Sequence, residues 1–167
     1  SEGLGSILNT ANITSTYAST IGDSQLCQQF HQVAKLIDLR THDFLKSERD
    51  VFYVQLGGFD THSDVSAVLN AKLQEANACL SAFVEEMRAK GTWGNVAIAT
   101  LSDFGRTLTS NGRGTDHAWA GNQMVLSGAL KGGGKIFGRY PDDLQETDAN
   151  PLNIGRGRLI PTMPWEG

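Results

Sequence analysis

Apolar residues along this chain recur either at helical spacing or in short continuous runs, and the difference separates helices from strands. Leu26, Phe30, Val33, Ile37 and Phe44 fall at helical spacing with Asp23 placed to cap the first turn, which predicts an amphipathic helix up to about Leu45. The run Val51 to Leu56 is apolar at almost every position, as in a strand covered on both faces of a parallel sheet. Beyond Asp64 the helical period returns. Val65, Val68, Leu69, Leu73, Ala76, Leu80, Phe83, Val84 and Met87 share one stripe, and Gly91 ends it. Val96 to Leu101 reads as a second buried strand, and Gln123 to Gly128 as a third. Strand, long helix and strand at these lengths predict a right-handed parallel crossover. The expected fold class is therefore α/β, a mostly parallel sheet flanked by helices.

The flanks are different in kind. Residues 1–22 are rich in Ser, Thr, Gly and Asn, which suits an extended lead-in, and residues 23–167 are expected to form one domain with no internal repeat or linker. After the third strand, "KGGGK" and "RYPDDLQETDANP" predict long surface loops. With 14 basic against 18 acidic side chains and no basic block, nucleic acid is disfavoured as a partner. No stretch approaches the length of a membrane span, and the N-terminus has no leader pattern. Cys27 and Cys79 each sit in a predicted helix. Buried thiols are the ordinary reading, and a bridge requires the two helices to pack side by side.

In open parallel sheets, ligands bind just beyond the carboxyl ends of the strands. That rule selects "GGFDTH" with Asp60 and His62, "SDFGRT" with Ser102, Asp103 and Arg106, and "NGRGTDHAWAG" with Asp116 and His117. Singly, each residue has a plain structural use: an aspartate after a strand caps helices and turns, and a loop histidine packs. Together, two imidazoles and up to three carboxylates on one sheet edge point to a metal or anion site, with glycines letting the loops converge. His31 and His42 are expected on the surface of the first helix. Nucleotide cradling is excluded by the absence of a complete phosphate-loop or dinucleotide motif, and a serine-hydrolase elbow is missing.

The segments "FYVQLGGFDTHSD", "SDFGRTLTSNGRGTDHAWAGNQMVLSGALKGG" and "IFGRYPD…GRGRLIPT" resemble a sulfatase-like family, domain of unknown function fifteen-oh-one, grouped with the alkaline phosphatase superfamily. The resemblance covers about residues 23 to 162. It implies an alkaline phosphatase-like sandwich hydrolysing phosphate or sulfate esters, with a divalent metal such as zinc, calcium or magnesium. Carried over by position, Asp60, His62, Asp103 and His117 stand as metal ligands, and Arg106 faces the substrate oxyanion. The resemblance also implies that the chain is the central and C-terminal portion of an incomplete domain, the nucleophile belonging to an N-terminal half outside it. That half, or another protein, would cover the exposed sheet. An extracytoplasmic or organellar location follows from the same resemblance. The competing expectation is a non-catalytic remnant acting as a structural or accessory subunit. Where the family reads "DHGWGG", Ala118 and Ala120 replace glycines, which is expected either to narrow that loop or to mark a site under relaxed demand.

Overall fold

The computed structural model describes residues 3–14, 22–43 and 45–163. The chain forms two compact units, one of Ser1–Gly57 with Asn70–Gly94 and the other of Gly58–Leu69 with Asn95–Gly167. Among the described residues its elements are helices α1 (Leu4–Leu8), α2 (Gln25–Asp38) and α3 (Val65–Ala89), a 3₁₀ turn at Trp93–Asn95, and strands β1 (Ala97–Ala99), β2 (Gly105–Arg106), β3 (His117–Ala118) and β4 (Val125–Ser127). Helix α1 lies where an extended lead-in was expected, with Ile7 buried.

The first unit is a helical core. Helix α2 starts one residue later than predicted: Ser24, not Asp23, is the cap, and its hydroxyl accepts the Cys27 N–H. It ends at Asp38 rather than near Leu45, because the chain turns through His42 N–H to Leu39 O and Lys46 takes φ 38°. Phe44 lies outside the described residues. Helix α3 runs its full predicted length and closes in a Schellman motif. Gly91, at φ 66°, donates to Arg88 O while Thr92 N–H reaches Met87 O.

Of the predicted α3 stripe, Phe83 and Met87 are buried with Cys79 and Ala82, whereas Leu69 and Leu73 are exposed. Phe30 of α2 meets Phe83 with ring centroids 5.1 Å apart. Leu26, Cys27, Phe30 and Ala34 supply the facing surface. Because the helices pack side by side at this point, Cys27 and Cys79 are bridged, their Cα atoms 4.8 Å apart. The expectation of buried free thiols is corrected.

One acid lies inside this core. Glu86 is buried, and its carboxylate accepts the Thr14 hydroxyl at 2.6 Å and backbone N–H at 3.1 Å, with Lys90 Nζ at 3.4 Å. Lys90 also reaches Asp38 Oδ1 at 2.8 Å and the carbonyl of Asn12. A buried carboxylate is tolerated only when paired this fully. The group ties residues 12–14 to both long helices.

The predicted parallel sheet is absent among the described residues. Val51–Leu56 forms no strand, with Val51 fully exposed and Tyr53 79% exposed; among the described residues only Gln55 finds partners, exchanging backbone bonds of 2.8 and 2.9 Å with the Gln29 side chain. An apolar run announces that a strand wants neighbours, and the described residues supply none. The other two predicted strands do pair, but antiparallel: Ala97, Ile98 and Ala99 of β1 face Ser127, Leu126 and Val125 of β4. The second sheet is the β2–β3 ribbon, pairing Gly105 with Ala118 and Arg106 with His117. The α/β, mostly parallel, alkaline phosphatase-like fold expected from the sequence is thus overturned. Among the described residues the observed architecture is three helices with two small antiparallel two-stranded sheets.

The second unit has little apolar core. Its buried apolar residues among those described are Ala118 and Leu159, and the polar Thr61, Thr107, Asn150 and Asn153 are buried beside them in number. Asn150 donates to the carbonyls of Asp143 and Gln145, and Asn153 donates to that of Leu144. These side chains order a loop that its composition marks only as a loop.

The disulfide closes a long segment, with Cys27 and Cys79 52 residues apart. Its reduction, or the Cys27→Ala/Cys79→Ala double variant, is expected to lower the unfolding free energy of the first unit by about 2–4 kcal/mol. Denaturant melts with and without reductant measure this. Coincident melts would refute a stabilising bridge.

Candidate metal centre

The site is built on the β2–β3 ribbon. Direct pairing of Arg106 with His117 sets their side chains on one face. The ring of Phe104 stacks on His117 at 4.1 Å and 5°, and the Arg106 guanidinium lies 5.5 Å from the Phe104 ring centre. Ribbon register is reinforced off the strands by Thr107 N–H to Asp116 O at 2.9 Å and Asp116 N–H to the Thr107 hydroxyl at 3.0 Å.

Between the strands, "SNGRG" folds on its own side chains. The Asn111 carbonyl oxygen accepts the N–H groups of Arg113 and Gly114, and the Ser110 hydroxyl accepts that of Gly112. The turn delivers Gly114 against the 60s loop, where Thr115 N–H bonds Thr61 O at 3.2 Å. A Cβ at Gly114 would stand 2.3 Å from the His62 carbonyl carbon. Only glycine permits this approach, so the loop convergence anticipated from glycine content has a specific origin here.

Asp60 Oδ1 is the meeting point. It faces Arg106 Nη1 at 2.7 Å, His117 Nε2 at 2.8 Å and His62 Nε2 at 2.9 Å. Ligand atoms of Asp60, His62 and His117 all lie within 4.8 Å of one another. The two imidazoles stack with centroids 5.6 Å apart. Arg106 is anchored further by Nε to the Thr115 hydroxyl at 2.9 Å and by Nη2 to the Thr115 carbonyl.

Behind His62 stands Asp116, whose Oδ1 is 3.3 Å from His62 Nδ1 and accepts from Asn111 Nδ2 at 3.0 Å. Its Oδ2 pairs with Arg156. Arg156 takes φ 57° between Gly155 and Gly157, and Leu108 N–H bonds the Gly157 carbonyl at 3.1 Å.

Of the residues singled out in the sequence, Asp60, His62, Arg106 and His117 come together. Asp103 is exposed and does not join the group. Ala118 is buried in β3, and neither it nor Ala120 takes a positive φ, so the two alanines are accommodated without backbone strain. Trp119 is exposed. Sequence reasoning missed Asn111, Thr115 and Arg156 as participants. The one signal for Arg156 was its position between two glycines in "GRG", where a close approach and a left-handed turn are both available.

Hydrogen bonds from His117 and then Arg106 hold the Asp60 carboxyl below the ordinary aspartate range. Asn111 foremost, with Arg156 and His62, does the same for Asp116. Both shifts favour the anion. Their contribution to the fold is therefore complete above the ordinary aspartate value of about 3.9 and lost as pH falls through the lower folded value.

A carbon-13 carboxyl titration is expected to place the Asp60 midpoint below about 3.9, and His117→Ala should raise it. An Asp60 midpoint at or above the ordinary value would contradict the contacts. Gly114→Ala is expected to separate the 60s loop from the ribbon, collapsing amide protection at Thr115 while the helical unit melts unchanged. Retained protection at Thr115 would show that the approach is not obligatory.

No curated protein and no solved structure shows a significant match to this chain. The family described as Protein of unknown function (DUF1501) matches residues 25–156, most of the chain and every residue of the Asp60 group, Arg156 included. The chain belongs to the DUF1501 family.

Proposed function

We propose that the chain carries part of a metal-dependent hydrolase site for phosphate or sulfate esters, with Asp60, His62 and His117 as ligands to one divalent cation. The observation that carries this reading is the convergence of two imidazole Nε2 atoms on one carboxylate oxygen, at 2.8 and 2.9 Å. Two nitrogens with one oxygen suit zinc better than calcium or magnesium, whose shells are mainly oxygen. Such an ion would polarise an ester oxygen and lower the pKa of bound water. Asp103 is left out of this ligand set.

Charge supports an anionic substrate. The pairs Arg106–Asp60 and Arg156–Asp116 offset each other, so an added divalent ion leaves the site cationic. A tetrahedral oxyanion would restore the balance. Arg106, gripped through Thr115, holds its guanidinium at the edge of the group, where it binds and orients that anion. The disulfide supports an oxidising, extracytoplasmic setting.

A partner surface is suggested by a different observation. Val51, Ile136 and Phe137 are 100%, 92% and 80% exposed, more bare apolar surface than a lone domain carries comfortably. A partner covering it, whether the remainder of the domain or another protein, is compatible with both the hydrolase and an accessory subunit. Among the described residues no helix is long and apolar enough to cross a membrane.

Stripped of metal and titrated with zinc in a calorimeter, the chain is expected to bind one ion. His62→Ala and His117→Ala should each weaken binding by more than the about 10–100-fold typical of outer-shell partners. Zinc-stimulated cleavage of aryl phosphate or aryl sulfate would support the hydrolase. Failure to bind, or binding indifferent to both substitutions, would refute the ligand set.

A further inference from the structure

We infer that Asp116, braced by Arg156, is the positioning residue that sets which nitrogen of His62 is free to ligate. The inference rests on the cation site proposed above and adds a role for residues outside its ligand set.

Both nitrogens of the His62 ring face carboxylates, Nδ1 toward Asp116 at 3.3 Å and Nε2 toward Asp60 at 2.9 Å. A neutral imidazole carries one N–H and one lone pair. It can therefore donate to only one of the two. Unlike Asp60, which makes only a close approach to Nε2, Asp116 has hydrogen-bond geometry toward the ring. Its side chain is 24% exposed against 53% for Asp60, and Asn111 and Arg156 hold its two oxygens in place. The N–H belongs on Nδ1, which leaves the lone pair on Nε2, 2.9 Å from the oxygen that His117 also faces. A carboxylate behind a ligating imidazole is the arrangement that fixes ring orientation and raises donor strength at metal centres.

Arg156 connects this selection to a distant part of the chain. Its backbone N–H is held by Glu146 Oε2 at 2.7 Å, and the buried Asn153 accepts the Gly155 N–H at 3.1 Å. At Gly157 a Cβ would lie 2.8 Å from the Leu108 backbone nitrogen, so the turn is pressed against the strand-side loop. The loop from Asp143 to Arg158, which holds no ligand itself, thereby sets the donor strength of His62.

Long-range proton–nitrogen NMR on the full chain, first free of metal and then with zinc, reads the His62 tautomer directly. The wild-type ring is expected as the Nδ1–H form, ligating through Nε2. In Asp116→Asn the amide can donate to Nδ1 and turn the ring to the Nε2–H form. Zinc affinity should fall about 10–100-fold, with partial rescue in Asp116→Glu. Arg156→Ala should shift the same signals in the same direction by less, and Arg156→Lys should restore part of the loss. Being exposed, Arg156 keeps the role testable if Asp116→Asn unfolds. A His62 tautomer and zinc affinity unmoved by both Asp116→Asn and Arg156→Ala, in a chain where His62→Ala abolishes binding, would overturn the positioning role alone. A wild-type chain that takes up no zinc would overturn the cation site and this role with it.

Discussion

A single carboxylate oxygen, Asp60 Oδ1, organises the second unit. Three nitrogens from three side chains approach it within 2.9 Å, and through them it joins the 60s loop to both strands of the β2–β3 ribbon. That matters because this unit cannot lean on apolar burial. Its buried apolar residues among those described are one alanine and one leucine. Order there comes from satisfied polar groups: the Asn111 turn, the Thr107–Asp116 reciprocal bonds and the Asn150 and Asn153 clamps. Networks of this kind specify geometry sharply when every member is paired.

The first unit follows the opposite rule. Phe30, Phe83, Met87 and the bridged cysteines form a conventional helical core, and the buried acid Glu86 is surrounded by Thr14 and Lys90. Position in that unit is fixed by burial and a covalent tie. In the other unit it is fixed by directional bonds whose strength depends on protonation.

Much of the local structure was legible in the sequence, and the pairing was not. The α3 helix and its Gly91 stop are local events, decided by residues within a few positions of one another, and both appear as read, although of the predicted stripe only Phe83 and Met87 are buried. Val51–Leu56 was read wrongly as a sheet strand, because a strand is defined by partners that its own residues do not name. Val96–Leu101 and Gln123–Gly128 were found, but the sense of their pairing depends on how the intervening loop returns, which periodicity does not encode. At the site, Asp60, His62, Arg106 and His117 were recoverable as types of donor following strand-like runs. Arg156 was not, since it reaches Asp116 from 40 residues away through a loop whose order depends on two buried asparagines.

The proposed cation site reduces to a claim about which atoms surround one ion. X-ray absorption at the zinc edge of the loaded full chain tests it most directly. The account predicts two imidazole nitrogens and carboxylate oxygen at about 2.0–2.2 Å, with one imidazole contribution lost in either His62→Ala or His117→Ala. A shell of oxygen alone, or an imidazole count unchanged by both substitutions, would contradict it.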